Sequence, residues 1–111
     1  MSNIYRGILI KPTVTTQTTV YTCNATSRAI IQNIQLTNQS GSNTAEVFVY
    51  DSSTTSTAEI SHVSLGSNAT ENLTKGPVVL EEGDALLITV NNTAITGIVS
   101  IMEVNRGSLT N

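Results

Sequence analysis

The sequence predicts an all-β fold, an antiparallel β-sandwich of about eight strands with jelly-roll character. Three observations carry that prediction. Charged residues make up only 12% of the 111-residue chain and hydrophobic ones 39%, while Val, Ile and Thr, which fit a pleated, half-buried surface, are abundant. Clusters of Asn, Ser, Gly and Pro interrupt the apolar runs at roughly the 8 to 12 residue spacing of sandwiches and barrels. No segment sustains the three-four spacing of an amphipathic helix. A flattened barrel would use the same strands, and periodicity does not separate the two.

The first strand is read over Ile4 to Ile10, with Ile4, Ile8 and Ile10 on one face and Tyr5, Gly7 and Leu9 on the other. Apolar groups on both faces imply cover on both sides. Lys11-Pro12 ends it, because proline lacks the ladder donor, and Thr13 to Thr19 reads as a linker or loose edge. Residues 1–16 are therefore set apart as an N-terminal strand or arm, either an ordinary edge strand, the preferred reading, or a segment that pairs with a neighbouring subunit. Residues 17–104 form the sandwich domain and residues 105–111 a tail.

Val20 to Cys23 is a short strand, and Asn24-Ala25-Thr26-Ser27 turns the chain. Arg28 to Asn38 is the longest strand, with Ile30, Ile34 and Leu36 on one face. Ile31 falls out of phase, which predicts a bulge near Gln32. Asn38 to Asn43 is a loop leading to Ala45 to Asp51, where Val47 and Val49 oppose Phe48 and Tyr50. After the Asp51 to Thr57 loop, Ala58 to Leu65 places Glu59, Ser61, Val63 and Leu65 on one face. Gly66-Ser67-Asn68 turns the chain into a weak strand, Ala69 to Lys75, broken by Gly76-Pro77. Val78-Val79-Leu80 leads to the turn Glu81-Glu82-Gly83-Asp84 and then to an alternating inward face of Leu86, Ile88 and Val90. Asn91 to Ala94 is a loop, and Ile98 to Val104 is the last strand.

Several functions lose support. Net charge is -3, and the five basic residues, Arg6, Lys11, Arg28, Lys75 and Arg106, are scattered singly. That is not the footprint of a nucleic-acid or membrane-surface binder. The chain opens without a leader-like segment and holds no run of membrane-spanning length, so the expected site of synthesis is a cytoplasm. Cys23 is the only cysteine, which removes disulfide frameworks and cysteine zinc clusters; it reads as a small buried strand residue. Asn24, Asn38, Asn68, Asn72 and Asn91 match a glycosylation triplet but arise from composition.

Chemistry is sparse. His62 is the sole histidine and lies between Ser61 and Ser64, yet a nucleophile and base must meet in space, and no elbow or phosphate-loop signature accompanies them. Glu81, Glu82 and Asp84 are the densest carboxylates but lack calcium-loop spacing, and a solvated turn accounts for them. No enzymatic activity, cofactor or metal is expected. The aromatics Tyr5, Tyr21, Phe48 and Tyr50 form no sugar-stacking row; packing and interface anchoring explain them better.

Three stretches, Thr19-Val20-Tyr21-Thr22-Cys23, Ile34-Gln35-Leu36-Thr37-Asn38-Gln39-Ser40-Gly41 and Pro77-Val78-Val79-Leu80-Glu81-Glu82-Gly83-Asp84-Ala85-Leu86, together resemble small β-sandwich virion proteins of tailed bacteriophages. The resemblance spans about residues 17 to 104. It implies a capsid decoration or cement protein that binds the major capsid protein on the outer surface of a head, as a trimer or dimer, and therefore resides in the virion. On that reading the partner-binding residues are Ile4, Tyr5, Ile8, Ile10, Phe48 and Tyr50. A tail, neck or fibre component, a carbohydrate-binding module and an enzyme are the alternatives, in that order.

Overall fold

The computed structural model describes residues 2–105, with side chains from Asn3 onward. The expected tail lies outside the described residues except for Asn105. Among the described residues nine strands follow one another: β1 (Ser2–Ile10), β2 (Thr18–Thr22), β3 (Ser27–Asn38), β4 (Asn43–Asp51), β5 (Ser56–Leu65), β6 (Thr70–Asn72), β7 (Val78–Leu80), β8 (Ala85–Val90) and β9 (Ile95–Asn105). All the pairings between them are antiparallel.

The topology is that of a nested hairpin. β4 and β5 form the innermost hairpin; outside them β3 pairs with β6 and β7 in tandem, β2 with β8, and β1 with β9. Rolling this long hairpin up produces a front sheet ordered β1-β9-β3-β6, with β7 beside β6 on β3, and a back sheet ordered β2-β8-β4-β5. Counting β6 and β7 as one interrupted strand, the arrangement is an eight-stranded jelly roll. The interruption sits at Gly76-Pro77, where proline cannot donate to the ladder. Two separate sheets make this a sandwich and not a flattened barrel.

The core lies between the sheets and draws on alternate residues of each strand. Ile31, Ile34, Leu36, Val99 and Ile101 from the front sheet meet Val47, Leu86, Ile88 and Val90 from the back. The bulge expected near Gln32 is present, since the β3–β9 register shifts between Ile31 and Asn33. The phase before it corrects the sequence reading. Ala29 and Ile31 point inward and Ile30 outward, because the extra residue flips every side chain on one side of it. β9 begins three residues earlier than expected, at Ile95, where β9 crosses close to β3 at Gly97.

The Glu81 to Asp84 turn fastens three elements together. Its last two residues hold Cys23, just past the end of β2, through Cys23 N–H to the Asp84 carbonyl (2.7 Å) and Gly83 N–H to the Cys23 carbonyl (3.0 Å). The buried Asp84 carboxylate accepts from Ser52 N–H (2.9 Å) and Glu81 N–H (2.9 Å), tying the β4–β5 loop to the same turn. Gly83 adopts φ +84°, and a Cβ there would stand 2.9 Å from Ser52 Oγ. Asp84 is thus spent on backbone donors, and Glu81 and Glu82 lie beside Arg28.

Four of the five sequon asparagines, Asn24, Asn38, Asn72 and Asn91, bond the backbone with their side chains. Asn24 Oδ1 accepts from Thr26 N–H and Asn72 Oδ1 from Thr74 N–H. Both are side-chain-closed turns. Asn91 Oδ1 accepts from Thr44 N–H, while Asn38 is fully buried.

Cys23 is 1% exposed, with its Sγ directed at the Ser27 carbonyl (3.3 Å). Burial pushes its thiol pKa up. The expected result is that a thiol reagent at pH 8 labels native protein at least ~100-fold more slowly than urea-unfolded protein; equal rates would show that the thiol is accessible.

Candidate functional site

Among the described residues, none covers the outer face of the front sheet. Residues in register across β1, β9, β3 and β7 point the same way, so Tyr5, Met102, Ile30 and Val79 form one transverse row. Leu9 and Ile98 begin a second row that continues to Gln35. Gly7 lies between Tyr5 and Leu9 on β1, and Ile98 leans over it, its Cδ1 3.4 Å from where a Gly7 Cβ would be. Tyr5 is 72% exposed, Leu9 75%, Val79 59% and Ile98 36%, an unusual density of bare large apolar groups for one sheet face.

The row runs to an open edge. β1 is the terminal strand of the front sheet, bonded along all 9 of its residues to β9 on one side. Among the described residues its other side is unpaired and offers a ladder of backbone groups to an incoming strand, with Arg6 as the one charge on the strand. A shallow groove of about 490 Å³, lined by Leu9, Ile98, Thr37, Gln39 and Thr96 among others, continues the face towards the loop end of the sheet.

The six residues expected to bind a partner do not form one surface. Tyr5 lies on the open face. Ile4 projects from the opposite side of β1 over an end cleft of about 650 Å³ that Arg6, Cys23 and Glu103 also line. Ile8 packs against the core and Ile10, 4% exposed, belongs to it. Phe48 and Tyr50 are half-buried on the outer face of the back sheet, where Phe48 sits in register with Leu87. Leu9, Ile98 and Val79 were not singled out, although the Tyr5-x-Gly7-x-Leu9 alternation contained the signal for the first. The strand part of residues 1–16 is an integral edge strand, so any strand addition uses its free side.

In the end cleft, Glu103 Oε2 accepts from Arg6 Nη1 (3.1 Å) and from the Tyr21 hydroxyl. Burial and that hydrogen bond push the Tyr21 phenol pKa up. The trio closes the end of the sandwich between β1, β2 and β9. His62 has Glu46 and Glu59 as its charged neighbours.

No protein-family model matches the chain, and no curated protein does. Solved structures share its fold. A chain of the T13 IBDV viral particle superposes with a TM-score of 0.57 at 9% identity, over 95% of this chain and 32% of that one. The infectious bursal disease virus Gx strain superposes with a TM-score of 0.55 at 9% identity, over 96% of this chain and 31% of that one. A subunit of the disulfide-linked pili of Bacillus endospore appendages gives 0.51 at 11% identity, over 92% of this chain and 86% of that one. The chain spans about a third of the length of the two viral chains. At such identities the likeness is one of fold, and the β-sandwich is what they have in common. No helix among the described residues is long and apolar enough to cross a membrane.

Proposed function

We propose that this chain is a non-enzymatic structural subunit of a virus particle, a decoration or cement protein that seats its front sheet on the major capsid protein of a phage head. The observation that carries the reading is the open face of Tyr5, Leu9, Ile98 and Val79 alongside the free edge of β1. Such a surface binds by apolar contact and strand addition, mechanisms that salt does not screen. A fold also found in a chain of an icosahedral virus particle supports the reading, as does the resemblance to tailed-phage virion proteins. The singly scattered basic residues suit protein and not nucleic acid as the partner. Self-association as a dimer or trimer belongs to the same proposal. Linkage of the kind named for the endospore pili is disfavoured, because the single cysteine is buried.

The test is co-sedimentation with purified heads, with density imaging to locate the copies. Wild-type protein is expected to saturate sites on the shell, and the pair Tyr5→Ser, Leu9→Glu to lose at least ~100-fold in affinity while keeping its circular dichroism and melting temperature. Both side chains are more than 70% exposed, so the fold should not register their loss. Removal of β1 would be a poorer probe, because it takes Ile10 out of the core. Decoration by the double variant at wild-type affinity would overturn the face assignment. Binding to tail or fibre assemblies in place of heads would move the protein to that part of the virion.

A further inference from the structure

A second constellation lies on the outer face of the back sheet, away from the open face of the front sheet. Glu46 on β4 is in register with His62 on β5. In an uninterrupted strand Glu59 would point to the opposite side from His62, three residues away. The β4–β5 register shifts between Val47 and Phe48, pairing Val47 with Ser61 and Phe48 with Glu59, and Ile60 becomes the extra residue. That bulge turns Glu59 over to join Glu46 and His62. It reverses the sequence expectation, which put Glu59 with the inward-facing Ser61, Val63 and Leu65.

The three side chains converge. His62 Nδ1 lies 3.3 Å from Glu59 Oε2 and 3.8 Å from Glu46 Oε2. One donor atom from each residue falls within 4.8 Å of the other two. Ligands of a tetrahedral Zn²⁺, at about 2.0–2.1 Å from the ion, stand about 3.3–3.4 Å from one another. The two His62 separations lie within about half an ångström of that spacing and the third is no more than 4.8 Å, in side chains that are between a third and three-fifths exposed.

We propose that Glu46, Glu59 and His62 form a binding site for a divalent transition metal of the Zn²⁺ class, which clips β4 to the bulged edge strand β5. An imidazole with two carboxylates selects for Zn²⁺ and its neighbours over Mg²⁺ or Ca²⁺, which take oxygen ligands alone. Three protein ligands leave the fourth position to water or to a group from a partner. The Glu46 carboxyl is held above its usual range, chiefly by its hydrogen bond with Glu59.

The test uses the full, untagged chain, which carries a single histidine. Titration of Zn²⁺ alone, followed by calorimetry and by the ¹⁵N shifts of the imidazole, is expected to show one saturable site, with coordination at Nδ1. Zn²⁺ should raise the melting temperature and EDTA should reverse the rise, whereas Mg²⁺ should do neither. His62→Ala should abolish binding, and Glu59→Gln should weaken it at least ~10-fold, each with unchanged circular dichroism. Absence of saturable binding with unmoved imidazole shifts, or equal affinity in His62→Ala, would overturn the proposal. The wild-type ¹⁵N measurement decides the matter even if a variant misfolds, and none of these results depends on capsid binding.

Discussion

Gly97→Ala is expected to lower stability by about 3 kcal/mol and the thermal midpoint by roughly 10–15 °C. A Cβ at Gly97 would stand 2.0 Å from the Gln35 carbonyl oxygen and 2.7 Å from Leu36 Cδ2. A flexible side chain could swing aside, but a backbone oxygen in the β3–β9 ladder cannot. β9 is the spine of the front sheet, in register with β1 through Gly97–Ile10 and with β3 through Gly97–Leu36, so separating β9 from β3 there disturbs both pairings and the core beneath. For a domain whose whole stability is of the order of 5–15 kcal/mol, the loss is large. Urea unfolding of Gly97→Ala beside Gly7→Ala checks it. The Cβ at Gly7 meets only Ile98 Cδ1 at 3.4 Å, and that variant should remain close to wild type. A cost below about 1 kcal/mol at Gly97 would contradict the close approach.

The second large effect is expected at Asn38. This side chain, 0% exposed, donates from Nδ2 towards the carbonyls of Gly41 (2.7 Å), Leu65 (3.0 Å) and Gly66 (3.1 Å). Its Oδ1 accepts from Asn43 Nδ2 at 2.9 Å. The backbone of Asn38 joins in, accepting from Asn68 N–H and donating to the Ala69 carbonyl. One amide thus holds the β3–β4 loop against the β5–β6 turn at the end of the sandwich. Asn38→Ala removes the side-chain donor from the Gly41 and Leu65 carbonyls, leaves Asn43 Nδ2 with only its bond to the Ser40 carbonyl (2.9 Å), and opens a small cavity, at an expected cost of about 3 kcal/mol. Asn38→Asp keeps the shape but aims a carboxylate at carbonyl oxygens. That environment raises its folded-state pKa, so the variant's deficit should be smallest below about pH 4 and grow as pH rises, the opposite of ordinary acid denaturation. Chemical denaturation at pH 3.5 and pH 7 measures both. A pH-independent deficit in Asn38→Asp would show that Nδ2 does not face those carbonyls.

The alternation in β4 and β8, the turn clusters and the out-of-phase Ile31 made the strands and the β3 bulge readable, because side chains of a strand alternate whatever surrounds them. The β5 bulge was not readable. Ala58 to Leu65 alternates acceptably without one, and only pairing with β4 ejects Ile60 and turns Glu59 outward beside His62 and Glu46. The open face was half visible. Tyr5 and Leu9 share a face in any strand, but Ile98, Met102 and Val79 join them only through the β1–β9–β3–β7 register. Ile8 and Ile10 looked like partner contacts because a single strand does not reveal which of its two apolar faces the second sheet covers.

By itself the sequence determined an all-β chain, where its turns fall, which residues alternate, and that Cys23 and the Glu81 to Asp84 acids serve structure. Those properties follow from local backbone preference and period-two geometry, which act over a few residues. Tertiary structure decided the nested pairing into two sheets, the position of β1 at an edge, the bare row across the front sheet and the gathering of Glu46, Glu59 and His62. Each depends on register between strands distant in sequence, and register is set by the summed burial of the whole core.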